Sequence, residues 1–90
     1  MTADVPADVG AVLAQLFGGA SDAFERGDAE TGVAAVTSAA SVARHKLPAG
    51  TLRERLLHGC ERAEQAAVEG DLTVAAEYAA SMARRLAERT

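Results

Sequence analysis

The side chains best suited to chemistry are Glu54, His58, Glu61 and Arg62, at positions i, i+4, i+7 and i+8. On a helix these positions share one face. Two carboxylates flanking an imidazole can hold a transition metal or pass a proton. The pattern stops short of a site, however. The Glu-x-x-His spacing of di-iron bundles is absent, and no second segment supplies a matching Glu and His. Glu54 with His58, and His58 with Arg62, read more simply as surface pairs at helical spacing. Cys60, the single cysteine, falls on an apolar stripe and reads as a small core residue, not a nucleophile. His58 lies two positions away, where a helix turns it elsewhere, so the two form no dyad. His45 falls at a helix C-terminus, where a cation suits the dipole. A Walker loop, a dinucleotide fingerprint and zinc-ligand spacing are all missing. The sequence therefore predicts a chain that is not an enzyme, with no catalytic residue, no metal and no cofactor.

Charge is the second chemical feature. If the helices run up and down, Arg44, Lys46, Arg53, Arg55, Arg84, Arg85 and Arg89 collect at one end as a candidate basic interaction patch. Asp4, Asp8, Glu54 and Glu88 dilute it. Asp22, Glu25, Asp28, Glu30, Glu64, Glu69 and Asp71 collect at the other end, opposed by Arg26 alone. Solvated faces and dipole-compatible helix ends explain these poles without any function. A docking surface for an anion, an acidic protein or a nucleic-acid backbone is the functional alternative. The chain carries a formal net charge of −4, and its only aromatics are Phe17, Phe24 and Tyr78. That balance speaks against a general nucleic-acid binder, which needs a basic face and aromatics to stack bases.

Four amphipathic helices would position these residues. The first is expected from about Pro6 to Arg26, with Val5, Val9, Val12, Leu13, Leu16, Phe17, Ala20 and Phe24 on its apolar stripe. Gly18-Gly19 should kink or break it, at about 2 kcal/mol relative to Ala-Ala. Gly27-Asp28 ends it and caps the next, because Gly takes positive φ and Asp accepts backbone N–H groups. The second runs from about Ala29 to Lys46 on Val33, Val36, Ala40, Ala43 and Leu47. After Pro48-Ala49-Gly50, Thr51 is the expected cap of the third, although Pro48 could also start it. The third stripe is Leu52, Leu56, Cys60, Ala63 and Ala67, widened by Leu57 and Val68. Gly59 within it marks a close helix crossing. Gly70-Asp71 repeats the boundary signal, and Leu72, Ala75, Ala79, Met82 and Leu86 carry the fourth helix from about Leu72 to Glu88.

The chain also repeats itself. Ala39-Ala40-Ser41-Val42-Ala43-Arg44 reads against Ala79-Ala80-Ser81-Met82-Ala83-Arg84 forty residues later, whereas Gly27-Asp28 reads against Gly70-Asp71 at forty-three. A three-residue difference should then lie inside the helix that follows. Each half is helix, Gly-Asp turn, helix. The expected fold is all-α: four antiparallel helices as two helix-turn-helix hairpins, at about 6–47 and 51–89, forming a small bundle within one domain, 1–90.

Ninety residues with 22 alanines allow only a thin core, so a partner could supply further burial. A lone cysteine forms no internal disulfide and fits a reducing compartment, and the acidic start does not read as a signal peptide. No apolar run reaches the length of a membrane span. The expectation is a cytoplasmic protein without membrane contact.

The stretch Val42-Ala43-Arg44-His45-Lys46-Leu47-Pro48-Ala49-Gly50-Thr51-Leu52-Arg53-Glu54-Arg55-Leu56-Leu57-His58-Gly59-Cys60-Glu61-Arg62 resembles a group of short uncharacterised helical proteins of halophilic archaea. The opening Val5-Pro6-Ala7-Asp8-Val9 and the closing Arg84-Arg85-Leu86-Ala87 extend the resemblance over most of the chain. It implies a small intracellular protein and assigns no role to any residue. The Gly-Asp hairpins also look loosely like tetratricopeptide units, in the turn and small-residue pattern alone. The expected function is a non-enzymatic protein-interaction or structural module, with another protein or a second copy of the chain as partner. The alternative is a small regulator that contacts nucleic acid or another anion through the basic end.

Overall fold

The structure, a computed structural model, describes residues 5–88. It contains α1 (Ala7–Glu25), α2 (Ala29–Lys46), α3 (Thr51–Val68) and α4 (Leu72–Ala87). Each connection is short, so each helix runs antiparallel to the one before it. α1 packs against α2 and α4, and α3 packs against the same two, while the diagonal pairs barely touch. The helices thus close a ring of four. The Cα extents of 41 × 18 × 17 Å leave room for two helices in each short direction. A stacked solenoid would leave its first and last helices apart. Here α1 and α4 share an extensive contact, so the tetratricopeptide likeness stops at the turns.

The two Gly-Asp turns are built alike. Gly27 and Gly70 both have φ of 83°, in the left-handed region open to glycine. Asp28 N–H donates to the Ala23 carbonyl at 2.8 Å and Gly27 N–H to Phe24 at 3.1 Å. The corresponding bonds from Asp71 to Ala66 and from Gly70 to Ala67 are 2.9 and 3.0 Å. This is a Schellman ending. The same Asp then turns round and caps the next helix: Asp28 Oδ1 accepts from Thr31 N–H at 3.1 Å, and Asp71 Oδ1 from Val74 N–H at 3.2 Å. One dipeptide therefore closes one helix and opens another.

The repeat has a single register, and it is forty-three throughout. On α2 the buried residues are Gly32, Val36, Ala39 and Ala43; forty-three positions on, Ala75, Ala79, Met82 and Leu86 are buried on α4. Leu13, Phe17, Ala20 and Ala23 on α1 map in the same way onto Leu56, Cys60, Ala63 and Ala66 on α3. The expected three-residue difference inside the helix does not exist. The Ala-Ala-Ser match at forty is out of phase: it sets buried Ala43 against half-buried Ala83. Burial fixes the register because only the core-facing positions must agree, and in an Ala-rich helix identities recur by chance.

Large and small residues trade places between the halves. Gly59 faces Met82, and a Cβ on Gly59 would press on the Met82 sulfur. Their equivalents are Leu16 and Ala39, so the larger residue moves from α4 to α1. Phe24 similarly lies over Gly32, where a Cβ would come within 3 Å of three ring carbons. Its equivalents are Ala67 and Ala75. Such exchanges conserve volume at a helix crossing while letting the sequence drift. Gly59 thus marks a close crossing, as expected, and Gly32 marks a second that the sequence did not signal.

Other expectations fail for local reasons. Gly18-Gly19 lies inside an unbroken α1, held by the buried Leu13, Phe17, Ala20, Ser21, Ala23 and Phe24 around it. Val12 is 46% and Val68 86% exposed, so neither belongs to the core. Ala39 and Ala66, not Ala40 and Ala67, are the buried members of their pairs. Thr51 is the first residue of α3 rather than its cap. Gly50 holds the capping position at φ 155°, ψ −176°, a conformation nearly restricted to glycine, and it offers no side-chain hydrogen bond. No described helix is long and apolar enough to cross a membrane.

Candidate functional site

The helical face of Glu54, His58, Glu61 and Arg62 is exposed, and no group of three His, Cys, Asp or Glu among the described residues could hold a metal. Arg62 does not pair with His58. The Tyr78 hydroxyl on α4 favours the charged form of Arg62 and raises the guanidinium further above its ordinary value. Cys60 is 2% exposed. Burial, then the nearby Glu64 carboxylate, push its thiol up to about 12 against the weaker opposite pull of Arg44. The thiol stays protonated at neutral pH and makes a poor nucleophile. His45 Nδ1 donates to the Ser41 carbonyl at 2.8 Å, closing the last turn of α2 as a surface group.

The short loops place Gly27-Asp28 and Gly70-Asp71 at one end of the ring, and the Leu47–Gly50 loop at the other. Asp22, Glu25, Asp28, Glu30, Glu69 and Asp71 gather around the first end. Arg26 meets Asp28 there at 3.8 Å, the only ion pair within 4 Å among the described residues. Glu64 does not belong to that pole. Its carboxylate accepts from Thr37 Oγ1 at 3.1 Å, and Thr37 lies midway along α2.

The basic residues divide in three. Arg44 and Lys46 are exposed on the last turn of α2. Arg84 lines a shallow depression on α4 with Val74, Glu77, Tyr78, Ala80 and Ser81. Arg53, Arg55 and Arg85 all line a hollow of about 280 Å³, walled further by Val5, Leu47, Pro48, Ala49, Gly50, Thr51 and Leu52. Arg89 lies outside the described residues, as does Asp4. A second hollow shares Thr51, Arg55 and Arg85 and continues along the α3–α4 groove past Glu54, His58, Tyr78 and Ser81. Sequence reasoning found all seven cations but not their partition. That partition depends on α3 and α4 being adjacent and antiparallel, which brings Arg85 beside Arg53 and Arg55.

The first turn of α3 forms part of the hollow. Its first intrahelical bond runs from Glu54 N–H to the Gly50 carbonyl at 3.1 Å. The N–H groups of Thr51, Leu52 and Arg53 have no acceptor among the described residues. Where α2 and α4 begin, an Asp occupies the capping position; here no side chain does.

No curated protein and no solved structure matches this chain. A family match spans both hairpins and the hollow between their ends: over residues 1–88 the chain belongs to the family described as Domain of unknown function (DUF8101).

Proposed function

We propose that this chain is a non-enzymatic interaction module that pairs with a second copy of itself through the outer face of α2. The distribution of charge is the observation that carries this reading. From Val9 to Ser21 and from Thr31 to Ala43 the first hairpin has no charged side chain. The positions forty-three further on hold Arg53, Glu54, Arg55, Glu61, Arg62, Glu64, Glu77, Arg84 and Arg85. The second hairpin has the charged exterior expected of a solvated helix pair; the first lacks it.

On α2 the exposed residues between Glu30 and His45 are Glu30, Thr31, Ala34, Thr37, Ser38, Ser41, Arg44 and His45. Reversing the helix about the point between Thr37 and Ser38 maps this set onto itself. Ala34 falls opposite Ser41, Thr31 opposite Arg44, and Glu30 opposite His45. An isologous pair needs such a self-complementary surface. Small residues in the middle permit axes near the lower end of the usual 8–10 Å separation. Opposite charges at the two ends favour the antiparallel arrangement over the parallel one, in which like ends would meet. A lone cysteine kept buried and protonated supports work in a reducing compartment such as the cytoplasm.

Sedimentation equilibrium from about 5 to about 500 µM tests the reading. A monomer–dimer equilibrium is expected, and Ser38→Arg, which sets two guanidinium groups across the axis, should shift it to monomer. A monomer throughout this range, or a dimer indifferent to Ser38→Arg, overturns it.

A further inference from the structure

We propose that the hollow bounded by Arg53, Arg55 and Arg85 is a binding site for a phosphate monoester on a small molecule. The three residues come from two helices, Arg53 and Arg55 from opposite sides of the first turn of α3 and Arg85 from α4, and all line one concavity. None of them lies within 4 Å of a carboxylate among the described residues, in a chain where acids outnumber Lys and Arg by 13 to 9. Among the described residues no carboxylate lines the hollow. Glu54 lies in the adjoining hollow, and Arg55 and Arg85 face both.

Three like charges without a counterion repel one another, and a dianion placed between them removes that repulsion. All three are arginines, whose planar donors match two phosphate oxygens at once. The unpaired N–H groups at the start of α3 border the same space and add donors of the right sign. Val5, Leu47 and Leu52 supply apolar wall. A volume of about 280 Å³ exceeds what one phosphate fills, so it has room for a small organic group beside it. A phosphodiester carries a single negative charge per phosphate and offers fewer free oxygens, so this arrangement favours a terminal monoester. The site is separate from the α2 face and does not rest on self-association.

The test is a titration of uniformly 15N-labelled full-length protein with inorganic phosphate and with a simple sugar phosphate, read by amide chemical shifts. Saturable shifts centred on Thr51, Leu52 and Arg53 are expected for both. The double variant Arg53→Ala/Arg85→Ala should weaken binding at least tenfold, whereas Arg44→Ala/Lys46→Ala should leave it unchanged. The spectra also report whether each variant is folded. A short oligonucleotide should compete when it bears a 5′-phosphate and fail when it ends in a 5′-hydroxyl. Absence of saturable shifts, equal loss in both double variants, or equal competition by the two oligonucleotides would overturn the proposal. A dimer seen by sedimentation together with no phosphate shifts would reject this site alone.

Discussion

Gly→Ala substitution should change stability in opposite directions at neighbouring places in one hairpin. Gly18 and Gly19 lie inside α1, and a Cβ built on either meets nothing within 4 Å. Alanine there removes backbone freedom from the unfolded chain and adds no clash, so each substitution should stabilise by about 0.5–1 kcal/mol. The pair should raise Tm by roughly 4–15 °C for a chain of this size. Gly32 is also helical, and the same propensity gain of about 1 kcal/mol applies. Its Cβ, however, would come within 3 Å of three carbons of the Phe24 ring. That ring is 1% exposed, so it can yield only by repacking against its buried neighbours. Forced repacking costs about 1–3 kcal/mol, so Gly32→Ala should gain nothing and lose up to about 2 kcal/mol net. Gly59→Ala should be milder, because the atom it meets first belongs to the flexible Met82 side chain. Thermal and urea unfolding of the four variants would measure the series. Stabilisation by Gly32→Ala equal to that of Gly18→Ala would refute the packing of Phe24 on α2, and with it the close approach of the first two helices.

Three further outcomes follow from the turns and the core. Asp71→Ala removes the side-chain acceptor of Val74 N–H and should cost about 0.5–2 kcal/mol in urea unfolding, with Asp71→Asn retaining most of it. Hydrogen bonds from Thr31, and less so the charge of Arg26, hold the Asp28 carboxyl below its ordinary 3.8. The stability it contributes is therefore present above that value and lost as pH falls through the lower folded value. The gap between the wild type and Asp28→Ala should narrow below about pH 4, and a gap that stayed constant down to about pH 2 would contradict the cap. Cys60 should resist thiol reagents in the folded protein and react once urea unfolds it, and rapid labelling under native conditions would contradict its burial.

The fold was largely legible in the residues. Gly27-Asp28 and Gly70-Asp71 give both turns, because few dipeptides combine a left-handed residue with a capping acceptor. Leu13, Val36, Leu56 and Met82 give the core faces through their spacing. Gly18-Gly19 was misleading, since intrinsic propensity marks a break where tertiary packing of the flanking residues holds the helix. Ala39 and Ala66 were misplaced because neighbouring alanines carry no periodic contrast. The repeat was visible, but its register was set by burial, which short identities in Ala-rich helices do not report. The arginine hollow was legible as a list of cations only. Which of them converge depends on the order of helices around the ring, and no local pattern in the sequence encodes that order.

Antiparallel pairing of two copies through α2 can be read by site-directed cross-linking. In a Cys60→Ala background, which removes the buried thiol, Ala34→Cys and Ser41→Cys proteins would be oxidised separately and then as a mixture. In the antiparallel register position 34 of one copy faces position 41 of the other, while two copies of position 34 are about 10 Å apart along the axis. A mixed disulfide is expected in the mixture, with little cross-linking of either protein alone. Efficient cross-linking of each variant to itself, with no preference for the mixture, would contradict it.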